Sequence, residues 1–124
     1  KKGARRVPYR VVMKDEHPFA LAGICDYWKD NKGNELKSFS IITTEANRLI
    51  SKIHERMPVI LSRKDEKVWL DPDLDIIQAL KMLRPYPAKE MKMYPVSTLV
   101  NNPKNDLPQV IKHERNATQT GSLF

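Results

Sequence analysis

Phe19-Ala20-Leu21-Ala22-Gly23-Ile24-Cys25-Asp26-Tyr27-Trp28, a polar segment from Lys29 to Glu35, and Leu36-Lys37-Ser38-Phe39-Ser40-Ile41-Ile42-Thr43 form the stretch on which the fold turns. The first run is mostly apolar and reads as a strand covered on both faces. The polar segment carries Asn31 and Gly33 and reads as a hairpin loop. The third run alternates, with Phe39, Ile41 and Thr43 on one face, and reads as the returning strand.

On the N-terminal side, Val7, Tyr9, Val11 and Met13 alternate with Pro8, Arg10 and Val12, which predicts a strand over 7–13. Pro8 fits only near its start or on an edge, and Asp15-Glu16-His17-Pro18 supplies the turn that follows. On the C-terminal side, Thr44 can N-cap a short helix through Ala46, Leu49, Ile50 and Ile53, which His54 to Pro58 breaks. Met57, Val59, Ile60 and Leu61 form another short strand. Ser62 with Asp65 resembles a capping box for a helical turn ending near Leu70. Asp71-Pro72-Asp73 launches a helix with Leu74, Ile76, Ile77, Leu80 and Leu83 as its apolar positions, and Pro85 ends it. Met91 to Val96 is the last strand; from Pro103 the chain turns polar, and 116–124 read as a loose tail. Strands and helices mix without a β-α-β rhythm, so the expected class is α+β with a mostly antiparallel, strongly curved sheet.

With 124 residues, the chain fits one domain or a large piece of one. Hydrophobic residues at 40% and charged residues at 30% suit one modest core. The 22 Lys and Arg outnumber the 15 Asp and Glu, giving a net charge of +7. That balance favours anionic partners, nucleic acid or an acidic membrane surface. The longest apolar run, Ala20 to Cys25, is too short to span a bilayer, and no signal-peptide pattern is present. A single cysteine cannot form an internal disulfide, which points to a reducing compartment. The first residue is Lys1 rather than Met, so the chain is expected not to begin where translation begins.

Most motifs that carry chemistry are missing: there is no Walker loop, GxGxxG, paired-cysteine zinc pattern or HExxH. His17, His54 and His113 lack metal-ligand spacing, so neither metal nor cofactor is expected. Cys25, in an apolar run, reads as a small buried hydrophobe. The alternative is a Cys25–His54 nucleophilic pair, as in a cysteine peptidase. Ile53-His54-Glu55-Arg56-Met57-Pro58 brings an imidazole, a carboxylate and a guanidinium together where the chain leaves a helix. One reading is a solvated turn. The other makes His54 a proton donor or acceptor near neutral pH, with Arg56 binding phosphate or orienting a carboxylate. Of Thr43 and Thr44, one caps the helix and the other can present a hydroxyl beside His54. Tyr9, Trp28, Trp69 and Tyr94 read as core or rim, with Trp28 partly exposed.

Ser38-Phe39-Ser40-Ile41-Ile42-Thr43-Thr44-Glu45-Ala46-Asn47 and Ile53-His54-Glu55-Arg56-Met57-Pro58-Val59-Ile60-Leu61 resemble the signature of the abasic-site processing family, also called SOS-response-associated peptidase (SRAP) domains. Pro18 to Trp28 resembles that family's central strand. Trp69-Leu70, Tyr94-Pro95-Val96-Ser97 and Val100-Asn101-Asn102 resemble its later landmarks. The resemblance covers about residues 6 to 111 in order.

The resemblance implies a single α+β domain around a curved, barrel-like, mostly antiparallel sheet, with residues 1–115 its C-terminal part. It implies capture of abasic sites in single-stranded DNA within a basic groove. It further implies that an N-terminal cysteine, exposed by autoproteolytic removal of the initiator Met, forms a thiazolidine crosslink with the ring-opened sugar. It assigns His54 as the active-site histidine, Thr43 as a pocket residue, and Arg56 as structural or phosphate-facing. That cysteine, an asparagine-containing motif and a catalytic glutamate precede the matched segment in the family. The N-terminal half is therefore expected to lie outside this chain, or to come from another copy. The implied setting is cytoplasmic or nucleoid-associated, or nuclear in a eukaryote. The competing reading is a non-covalent single-stranded nucleic-acid binding module in which Trp28 stacks on bases.

Overall fold

A computed structural model describes residues 6–115. The loose tail expected at 116–124 lies outside the described residues. Two compact units appear among the described residues, one made of residues 6–17 and 89–115, the other of Pro18–Ala88.

In the first unit, strand β1 (Tyr9–Met13) pairs antiparallel with a strand near the C-terminus, Met91–Pro95, with Tyr9 opposite Pro95 and Met13 opposite Met91. Pro8 lies just ahead of β1 and loses no ladder bond; its carbonyl accepts from the Val96 N–H at 2.9 Å. Val12, Met13, Met91 and Val96 are buried. A single antiparallel bridge from Val96 to His113 extends the ladder.

The second unit is built from three bent strands. The first comprises β2 (Ala20–Leu21) and β3 (Gly23–Lys29), joined at Ala22. The second comprises β4 (Glu35–Ile41) and β5 (Thr43–Glu45), joined at Ile42. The third comprises β6 (Arg56–Pro58) and β7 (Ile60–Leu61), joined at Val59. At each joint the strand changes partner: β3 pairs with β4, β5 with β6, and β2 with β7, all antiparallel. Ala22 donates to the Val59 carbonyl at 2.9 Å, Val59 to the Ile42 carbonyl at 2.9 Å, and Ile42 to the Ala22 carbonyl at 3.0 Å. This closed ring of three bonds satisfies the backbone where three strands would otherwise orphan it. Ala22 and Val59 are fully buried there, with Leu61 and Met82, and Ile42, Trp69, Leu74 and Leu83 pack around them.

Two short helices flank this centre. Helix α1 (Arg63–Trp69) begins where the Ser62 hydroxyl accepts from the Asp65 N–H at 3.2 Å, the cap read from the sequence. Its Trp69 indole donates to the Gly23 carbonyl at 3.1 Å. Helix α2 (Ile76–Met82) is capped by Asp75, which accepts from Ile77 and Gln78. The strand Met91–Pro95 of the first unit, β8, is the last. Among the described residues every ladder is antiparallel, and together with two α-helices this makes the α+β class. The strands pair two by two and do not close into a barrel among the described residues; their curvature is the partner exchange at Ala22, Ile42 and Val59.

Three local expectations are corrected. No helix begins at Thr44. Thr43–Glu45 is a strand, and only a 3-10 turn at Ile50–Lys52 follows. Thr44 is instead held in the ladder opposite Met57. The hairpin β3–β4 is not covered on both faces: every residue from Ile24 to Lys29 and from Glu35 to Ile41 is exposed, including Phe39 at 78% and Tyr27 at 66%. Cys25 is accordingly exposed rather than buried. Ile76, Ile77 and Leu80 of α2, apolar positions at helical spacing, also face outward.

Candidate functional site

Strands β5 and β6 place Thr43 and Arg56 diagonally across a short ladder, and His54 stands two residues before Arg56. The loop between them is closed by Ala46 donating to the Glu55 carbonyl at 3.0 Å. Arg56 stands opposite Glu45 in the register. Thr43, two residues from Glu45, is therefore its diagonal neighbour on the same face. The guanidinium takes the diagonal: Nη2 donates to the Thr43 carbonyl at 2.9 Å and to its hydroxyl at 3.1 Å. Among the described residues no carboxylate pairs with Arg56.

His54 follows the 3-10 turn. Its backbone N–H and that of Ile53 both donate to the Ile50 carbonyl, each at 2.9 Å. Its Nδ1 lies 2.9 Å from the Arg56 N–H nitrogen and 2.9 Å from the Arg56 carbonyl oxygen. With the ring neutral and Nδ1 bare, Nδ1 accepts from the N–H. With Nδ1 protonated, it donates to the carbonyl. One residue's main chain thus offers a partner in either protonation state, and the ring is exposed at the surface.

The loop that carries His54 is organised by Asn47, which sequence reading placed only within a motif. Its side-chain oxygen accepts from Leu49 at 3.1 Å and Ile50 at 3.0 Å, and its amide nitrogen donates to the Tyr86 carbonyl at 2.7 Å. The visible signal was an N-capping residue type three positions before Ile50. Cys25 sits in the β3–β4 ladder, opposite Phe39. No hydrogen bond joins it to His54 among the described residues, so the structure does not assemble the nucleophilic pair.

Among the described residues, no group of three His, Cys, Asp or Glu side chains could hold a metal ion. No helix among them is long and apolar enough to cross a membrane.

An α+β chain with an exposed His–Thr–Arg cluster on a bent antiparallel ladder is the class defined so far. The sequence model of SOS response associated peptidase (SRAP) matches residues 1–103, and the chain belongs to that family. It is similar to the abasic site processing protein YoqW of Bacillus subtilis (strain 168), 46% identical over 110 residues, covering 86% of this chain and 48% of YoqW. It is also similar to the abasic site processing protein HMCES of Gallus gallus, 42% identical over 95 residues, covering 73% of this chain and 27% of HMCES. Among solved structures, a Bacteroides thetaiotaomicron protein superposes with a TM-score of 0.80 at 34% identity, covering 92% of this chain and 51% of that one. The chain spans about half the length of YoqW.

Proposed function

We propose that this chain supplies the proton-handling side of an abasic-site capture centre for single-stranded DNA. The observation that carries the reading is the double engagement of His54 Nδ1 by Arg56, with the imidazole exposed. An imidazole oriented in both protonation states suits proton transfer near neutral pH. The Arg56 guanidinium, anchored by one nitrogen on Thr43, keeps further donors for a phosphate. The net charge of +7 favours a polyanionic strand.

The covalent step uses an N-terminal cysteine in a segment outside these 124 residues. Its α-amine adds to the aldehyde carbon of the ring-opened abasic sugar, and loss of water leaves an imine. The cysteine sulfur then adds to the imine carbon, the thiol proton ends on nitrogen, and a thiazolidine closes. His54 shuttles the protons of the ring-opening and dehydration steps. The exposed apolar side chains of the β3–β4 hairpin, Tyr27 and Phe39 on one face and Ile24 and Trp28 on the other, offer surfaces on which that further segment packs. YoqW, about twice as long, supports this reading. Cys25 takes no part, because it lacks a free α-amine.

The test is incubation of a protein carrying both segments with an abasic single-stranded oligonucleotide, followed by a denaturing gel without borohydride. A crosslink that survives Cys25→Ala and weakens with His54→Ala supports the reading; absence of any crosslink ends it. A non-covalent, steeply salt-dependent complex in its place would favour the binding-module alternative, for which Trp28 at 52% exposure is the available stacking surface.

A further inference from the structure

We propose that Asn47 is a positioning residue for His54, acting through the turn between them. This rests on the reading of His54 as the proton-handling group. The route is short and continuous. The Asn47 side-chain oxygen accepts from the Ile50 N–H at 3.0 Å, fixing the orientation of that peptide, and from Leu49 at 3.1 Å. The Asn47 carbonyl accepts from Ser51 at 2.8 Å, and the Ile50 carbonyl then receives both Ile53 and His54 at 2.9 Å. Every turn from 47 to 54 is thereby tied to one asparagine.

The anchor itself is held from outside the loop. The Asn47 N–H donates to the Met57 sulfur at 3.3 Å, and Met57 is 2% exposed in β6, next to Arg56. The Asn47 amide nitrogen reaches the Tyr86 carbonyl at 2.7 Å, thirty-nine residues away along the chain. Ile50, the residue that receives the cap, is itself 7% exposed and pins the loop inward. His54 is an exposed side chain on a surface loop, and such a group has no packing to orient it. Its orientation depends on the backbone that presents Nδ1 to Arg56, and Asn47 sets that backbone.

The two arms of the side chain do different things. The oxygen caps the turn and reaches His54. The nitrogen ties the loop to the segment after α2 and reaches only stability. Asparagine and aspartate cap equally well, whereas alanine does not cap. Asn47→Asp therefore keeps the cap and loses the tie, and Asn47→Ala loses both.

The experiment is two-dimensional NMR of the imidazole nitrogens in ¹⁵N-labelled protein, at a pH of about 8.5, above the ordinary imidazole range. The native ring, held at Nδ1 by the Arg56 main chain, should show a ratio of its Nδ1–H and Nε2–H forms shifted roughly 2- to 10-fold from that of a free histidine side chain. Asn47→Ala should erase that bias, returning the two nitrogen shifts to those of a free histidine side chain. Asn47→Asp should keep it while still lowering the melting temperature. A purely structural asparagine would lower stability in both variants and leave the His54 nitrogens unmoved. That result overturns the proposal, as does loss of the bias in both variants. The His54 signal is read without DNA, so a failed crosslinking assay and a failed positioning role are separately visible. In a protein that crosslinks, Asn47→Ala should lower the rate of crosslinking and Asn47→Asp should leave it close to native.

Discussion

Arg56 leans across the β5–β6 ladder onto Thr43, one guanidinium nitrogen bonding both the carbonyl at 2.9 Å and the hydroxyl at 3.1 Å. Its facing residue in the register is Glu45, yet no ion pair forms between them. The carbonyl is available whatever side chain occupies position 43, and the hydroxyl is not. Thr43→Val should therefore cost less than about 1 kcal/mol, since the lost bond is exposed to water and the carbonyl partner stays. Arg56→Ala removes both, along with the donors left for an anion. The expected signature is a salt dependence of single-stranded DNA binding shallower by about one phosphate contact, read by fluorescence anisotropy at several salt concentrations. An unchanged slope would place Arg56 away from the strand.

His54 gives a second expectation. Replacing it with Ala removes a group that can be a donor and an acceptor in turn, and general acid–base roles of this kind contribute about 10²- to 10⁴-fold. Crosslink formation by a protein with an N-terminal cysteine should slow by that order. Fold should survive, because the side chain is exposed and its bonds are to one neighbouring residue. A full-rate variant would remove His54 from the chemistry.

The ring of backbone bonds among Ala22, Ile42 and Val59 makes a stability prediction. Val59 is 0% exposed, and truncation to Ala removes buried methyl groups at a point where three strands fix the backbone. The site has little freedom to collapse, so Val59→Ala should cost about 2 kcal/mol or more. Ala22 is also 0% exposed, and adding methyl groups there should cost about 1–3 kcal/mol by overpacking. Both are readable as shifts in urea midpoint; a neutral Ala22→Leu would mean that the junction has room the structure does not show.

Much of this architecture was legible in the chain. The strands at Tyr9–Met13, Gly23–Lys29, Glu35–Ile41 and Met91–Pro95, and the cap at Ser62, follow from alternation, turn residues and capping chemistry, all local properties. Two of the failures share a cause, pairing between residues distant in sequence. Ala46, Leu49, Ile50 and Ile53 repeat at helical spacing, but the pairing of Thr43–Glu45 with Arg56–Pro58 uses residues on both sides and overrides that preference. The partner exchange at Ala22, Ile42 and Val59 is set by contacts distant in sequence, and no periodicity announces it. The exposure of Phe39, Tyr27 and Cys25 was unreadable for the opposite reason. Apolar composition says that a surface needs a cover, not that the cover is present. At the candidate site, spacing placed His54 beside Arg56, but the contact with Thr43, thirteen residues away, depended on the ladder.

The hairpin loop supplies a pH-dependent prediction. The Asp30 carboxylate accepts from the backbone of Lys32 at 2.9 Å and Asn34 at 2.8 Å, and from the Asn34 amide at 3.1 Å. The backbone bond from Asn34 is the main cause of an acidity shifted below the ordinary 3.8. A lowered folded-state value means that the ionised form stabilises the loop. That contribution is complete above the ordinary value and disappears as pH falls through the lowered one. The loop should therefore open in acid below about pH 4, ahead of the rest of the second unit. Amide exchange of Lys32 and Asn34 measured down a pH series should show it, and Asp30→Ala should reproduce the open loop at neutral pH. Gly33 offers the matching control. Its φ of 82° is strained for any other residue, although an added Cβ would meet nothing within 4 Å. Gly33→Ala should cost about 1–2 kcal/mol wherever the loop is closed, because the penalty is in the backbone. That penalty should fade in acid together with the Asp30 bonds, since an open loop no longer holds position 33 at positive φ; a penalty that persisted there would mean that the loop stays closed without the carboxylate.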